Sequence, residues 1–95
     1  MSVVRTHHYT VEPADLTEFL RRREAVIATV RNRNPGPTQT VLSRLEDGTF
    51  ADSWRWDSAE QMQAALANMP MAEAGAAFSL THDATRQDGE IIDQR

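Results

Sequence analysis

Asp52, His7 and His8 are the side chains best placed to move a proton. Asp52 stands between Phe50 and Trp54, with Trp56 beyond, and alternate residues of an extended chain share one side. A carboxylate on an aromatic-lined face is costly to ionise, which suits it to a general-base role. The blander assignment is that Asp52 caps or pairs with an arginine at a sheet edge and that both tryptophans are core. His7 and His8 are neighbours in a run that reads as a strand, so they project to opposite faces and cannot share one metal ion. His82-Asp83 is accompanied by no HExxH motif or carboxylate-rich loop, and no metal site is expected. Neither Ser43 nor Ser53 lies in a GxSxG elbow. Trp54 and Trp56, with Met62, Leu66, Met69 and Phe78 on the segment that follows, suit a flat hydrophobic aromatic ligand held between a sheet and helices. At helical spacing methionines are more often core than pocket wall, although their flexibility also suits a wall that adapts to a ligand.

These residues need elements to hold them. Val3 to Val11 is rich in β-branched and aromatic residues and reads as a first strand. Pro13 opens an amphipathic helix to about residue 33, with Leu16, Phe19, Leu20, Val26 or Ile27, and Val30 on its apolar side and Arg21, Arg22, Glu24 and Arg31 on the other. Asn34-Pro35-Gly36-Pro37 ends it. Thr38 to Leu45 and Thr49 to Trp56 form a hairpin about Asp47-Gly48. Ser58 and Gln61 make a capping-box pair for a second helix carrying Met62, Ala65, Leu66 and Met69, which Pro70 interrupts and Met71, Ala74 and Phe78 extend by a turn or two. Thr81 to Asp83 reads as a loop and Thr85 to Gln94, with Ile91 and Ile92, as a last strand. The order β-α-β-β-α-β predicts an α+β, ferredoxin-like split β-α-β fold over residues 1–95 as one domain, an antiparallel sheet with two helices on one face. Strands one and three are then neighbours, which brings His7 or His8 beside Asp52. The second face of such a sheet would stay wet in a monomer, so a homodimer packed sheet to sheet is expected.

Composition narrows the function. Ninety-five residues allow one core. With no cysteine, disulfides, thiolate nucleophiles and thiolate metal sites are excluded, and because all ten basic residues are arginine, so are Schiff-base chemistry and a P-loop. Fourteen acidic residues against ten basic ones argue against nucleic acid as a partner. No run of apolar residues is long enough for a membrane span and no signal peptide is evident, so a cytoplasmic protein is expected.

In element order, and most sharply in Trp56-Asp57-Ser58-Ala59-Glu60-Gln61, the chain resembles the antibiotic biosynthesis monooxygenase family of dimeric α+β barrels. The resemblance implies a pocket in which a tryptophan, here Trp56, lines the site where an anthrone-type polyphenol is deprotonated and reacts with O2 without flavin, haem or metal. The family's asparagine before that tryptophan and tyrosine early in the helix correspond here to Asp52 and Met62. Haem-degrading relatives place an asparagine, a tryptophan and an iron-ligating histidine where this chain has His7, Leu66 and about Gly75, so haem degradation is not expected. The function implied is a cofactor-independent monooxygenase acting on a flat polyphenolic molecule of the anthrone or quinol type. Asp52, His7 or His8 would transfer the proton, Trp54, Trp56, Met62, Leu66 and Phe78 would line the site, Tyr9 would hydrogen-bond the ligand, and Arg44 or Arg55 would face an oxyanion. A polyketide cyclase, or a non-catalytic small-ligand-binding dimer, is the alternative on the same scaffold.

Overall fold

The β-branched run near the N-terminus forms strand β1 (Val3–Val11) over the span expected of it. In the computed structural model, which describes residues 1–95, a 3-10 turn at Pro13–Asp15 then leads into helix α1 (Leu16–Arg33). Proline fits that turn because it brings no N–H that would go unpaired. Helix α1 buries Phe19, Val26, Ile27 and Val30. Leu20 is 44% exposed, since the residue after Phe19 is rotated roughly 100° from the inward face. Gly36, just beyond the helix, passes so close to the indole of Trp56 that a Cβ there would lie 3.0 Å from its Cε3.

Strands β2 (Gln39–Arg44) and β3 (Phe50–Trp56) form the expected hairpin, and Gly48 takes a φ of 86°, which disfavours any residue with a side chain. Ser58 caps helix α2 (Ala59–Ala67), accepting the Gln61 N–H at 3.1 Å. Only half of the capping box forms, because Gln61 Oε1 is buried without a partner. After a break at Asn68–Pro70 a separate helix α3 (Met71–Phe78) begins, two full turns where the sequence suggested an extension of α2.

The last strand departs from expectation. Strand β4 spans Thr81–Glu90, so His82 and Asp83 are strand residues, while Ile91 and Ile92 lie beyond its end. Its residues are mostly exposed and polar, as an edge strand permits, and a bulge interrupts its pairing with β1; both features erase the alternation that marks a strand in sequence.

The sheet order is β2-β3-β1-β4 with every neighbouring pair antiparallel, the ferredoxin-like arrangement. One face packs against the helices in two apolar clusters. The larger joins Val3 and Trp56 to Val26 and Val30 of α1, Met62 and Ala65 of α2, and Ala74 and Ala77 of α3. The smaller joins Tyr9, Val11, Phe19 and Phe50. The other face, with Val4, Thr6, Val41, Ala51 and Ser53, carries no helix.

Candidate functional site

Between the two apolar clusters, on the inward face of β3, sits Asp52, only 4% exposed. Its Oδ2 accepts the Tyr9 hydroxyl at 2.7 Å and Arg23 Nε at 3.0 Å; its Oδ1 accepts Arg23 Nη2 at 2.8 Å and the Trp54 indole N–H at 3.0 Å. A carboxylate offers about four acceptor positions, so none is left over. Arg23 reaches it from α1, where it lies four residues after Phe19 and three before Val26, inside the buried stripe. Burial and the adjacent carboxylate hold the Tyr9 hydroxyl far above its ordinary range, so it stays a donor.

Beside this node a cavity of about 690 Å³ opens between the sheet and α2–α3, a volume within the range of roughly 300–1,000 Å³ usual for small-molecule sites. Its aromatic wall is Trp54 and Trp56 of β3, and Leu66 of α2, Met69 of the break and Phe78 of α3 face them. The Trp54 and Trp56 rings lie 6.4 Å apart, and the bond from Trp54 to Asp52 fixes the nearer indole in plane. His7 faces Asp52 across the β1–β3 ladder and lines the same cavity, its ring 5.7 Å from that of Phe78. The imidazole is half-buried and makes no hydrogen bond within the chain. Burial lowers its pKa from the ordinary 6.5, outweighing the upward pull of Asp52. At the β4 side, Arg5 holds Asp88 through two bonds of 2.8 and 2.9 Å, and Arg86 stands opposite His7.

The residues singled out in the sequence divide accordingly. Asp52, His7, Trp54, Trp56, Leu66 and Phe78 all line the cavity. Trp56 does so from beneath, being 1% exposed and packed in the larger cluster. His8 points to the opposite face, its Nε2 2.9 Å from Thr49 Oγ1, as strand alternation requires. Tyr9 is fully buried with its hydroxyl on Asp52, and Met62 lies in the core behind the cavity wall, so neither reaches a ligand there. Arg44 stacks over Phe50 at 5.4 Å on the far strand, and Arg55 bonds Thr38 and Ser2 away from the cavity. Arg5, Arg23, Gln63, Arg86 and Asp88 are the polar residues that the sequence pattern did not bring forward. For Arg23 the signal was present, a charge within the apolar stripe of α1. For Arg86 and Asp88 there was none until the bulge in β4 fixed their side of the sheet.

No family model matches the chain, and no curated protein matches it. Solved structures of the antibiotic biosynthesis monooxygenase family match it over nearly its whole length, and so define its fold as theirs. SnoaB, a cofactor-independent oxygenase from Streptomyces nogalater, aligns in a mutant form with a TM-score of 0.80 at 22% identity, over 98% of this chain and 95% of that one. A proposed antibiotic biosynthesis monooxygenase from Caulobacter crescentus aligns with a TM-score of 0.78 at 17% identity, over 97% and 91%. Rv0793 from Mycobacterium tuberculosis aligns with a TM-score of 0.75 at 13% identity, over 99% and 98%. No helix of the chain is long and apolar enough to cross a membrane.

Proposed function

We propose that the protein binds a flat polyphenolic molecule of the anthrone type in this cavity and promotes its oxidation by O2 with no cofactor. The observation that carries the proposal is an imidazole without a partner in the chain, biased towards its neutral form, facing a cavity walled by Trp54. A neutral imidazole accepts a proton at pH 7. Asp52, with every acceptor position taken, holds the indole of Trp54 and the ring of Tyr9 in place, so the base role passes to His7. The likeness to SnoaB supports the choice of reaction class.

In this scheme the ligand ring lies along Trp54 with its acidic methylene towards His7. His7 removes one proton, and the resulting carbanion is stabilised by the aromatic system. It passes one electron to O2, the radical pair combines to form a C–O bond, the proton held on His7 returns to the peroxide, and loss of water from the hydroperoxide leaves a carbonyl. In sum, the ring methylene and one molecule of O2 give a ring carbonyl and one molecule of water, so O2 is both the oxidant and the source of the inserted atom. Binding, proton removal and exclusion of water are all that the chain has to provide.

Oxygen uptake with 1,8-dihydroxyanthrone, corrected for its spontaneous oxidation, tests the scheme. The wild type is expected to accelerate uptake, and His7→Gln to lower kcat by about a hundredfold while still binding ligand. Because the neutral imidazole is the active form and its pKa is lowered, kcat/KM should fall on acidification with a midpoint below 6.5. Full activity in His7→Gln, or an acid limb centred above 6.5, contradicts the role of His7.

A further inference from the structure

Nine of the ten arginines have a partner inside the fold: a carboxylate, a carbonyl, a hydroxyl or an aromatic ring. Arg86 has none. It is an exposed side chain on the lining of the cavity, and its strand partner there is His7.

The backbone delivers it to that position through a distortion. Thr10 pairs with His82 and His8 with Thr85, so Asp83 and Ala84 together oppose the single residue Tyr9. Asp83 accordingly adopts a φ of 56°, a left-handed conformation uncommon for a residue with a side chain. One extra residue reverses the alternation of everything beyond it. Thr81 and Arg86, five apart, would face opposite sides of a regular strand; here Thr81 pairs with Val11 and Arg86 with His7, both on the helix side. Without the bulge, Arg86 and Asp88 would point to the bare face of the sheet.

The charges around Arg86 leave it unneutralised. Arg5 is paired with Asp88, and Asp52 with Arg23. His7 is held towards neutrality by burial. One end of the cavity therefore carries a net positive charge, in a protein whose overall charge is −4. A guanidinium presents a planar fork of N–H donors that matches a carboxylate in a two-bond geometry.

We propose that Arg86 anchors an ionised carboxylate of the ligand, so that the molecule this cavity selects is an aromatic acid, its rings along Trp54 and its carboxylate at the β4 edge. This rests on the assignment of the cavity to a flat aromatic ligand and adds to it the acidic group. Arg86 is then a specificity-determining residue: it fixes which end of the ligand enters first and which ring position meets His7.

The test compares two ligands with one ring system, anthraquinone-2-carboxylate and 2-(hydroxymethyl)anthraquinone, titrated into wild type and Arg86→Gln with tryptophan fluorescence as the readout. The wild type is expected to bind the carboxylate about tenfold more tightly than the alcohol. That preference should shrink on addition of salt. Arg86→Gln should bind both compounds alike, with the affinity for the alcohol unchanged. Equal binding by the wild type, or a preference that survives in Arg86→Gln, overturns the anchor and leaves the aromatic site standing. Failure of both compounds to bind would instead remove the aromatic site, and the anchor with it.

Discussion

The Asp52 carboxylate ties three elements together, because Tyr9 comes from β1, Arg23 from α1 and Trp54 from its own strand. With Asp52 and Arg23 both largely withdrawn from water, removing one charge leaves the other buried without compensation. Asp52→Asn is therefore expected to destabilise the fold by about 3 kcal/mol, read as a lowered midpoint in urea denaturation. An amide keeps one acceptor oxygen and puts an NH2 where the other stood, so the Tyr9 hydroxyl and the Trp54 indole cannot both donate to it, and ligand affinity should fall even where the variant is folded. An unchanged midpoint would show that the ion pair contributes nothing net. The placing of Asp52 among aromatics was legible in sequence, since strand alternation puts Phe50, Asp52, Trp54 and Trp56 on one side. Its partner was not, because α1 could lie against the sheet at many rotations about its axis and only packing chooses the one that carries Arg23 to it. The assignment of Asp52 to an arginine pair, weighed from sequence at a sheet edge, holds in kind but belongs to the buried interior.

At the level of elements, hairpin and helices could be read from local chemistry. Gly48 in the turn, Ser58 at the cap and Pro70 at the break each act on the backbone within a few residues, which is the range over which sequence pattern speaks. The Ser58 cap stabilises α2, whose Met62 and Ala65 pack under Trp56, so it supports the floor of the cavity. Ser58→Ala should cost about 1 kcal/mol in denaturant unfolding and leave ligand affinity nearly unaltered. A much larger loss would mean that the hydroxyl does more than cap. Strand β4 was legible only in its second half, because a polar edge strand with a bulge has neither apolar alternation nor a fixed parity. The residues at the charged end of the cavity are on that strand, and their side of the sheet was hidden for the same reason.

The molecule as a whole keeps one sheet face bare. Val4, Val41 and Ala51 lie on it beside Thr6 and Ser53, and Val41 is 46% exposed. We propose that a second copy of the chain covers this face, as expected of a sheet with helices on one side only. Sedimentation equilibrium at micromolar concentration should return twice the chain mass; a monomer would contradict it. The cavity lies on the other face, and the chain supplies its own probe of it. Both tryptophans line the cavity, so tryptophan fluorescence reports on that site. Whether a flat aromatic molecule enters it is read by titrating the folded protein with 1,8-dihydroxyanthraquinone. Saturable quenching with a Kd on the order of micromolar, lost or weakened in Trp54→Leu, is the expected result. Fluorescence that does not respond to this or any related planar aromatic, in protein shown to be folded, would rule out an aromatic ligand for the cavity.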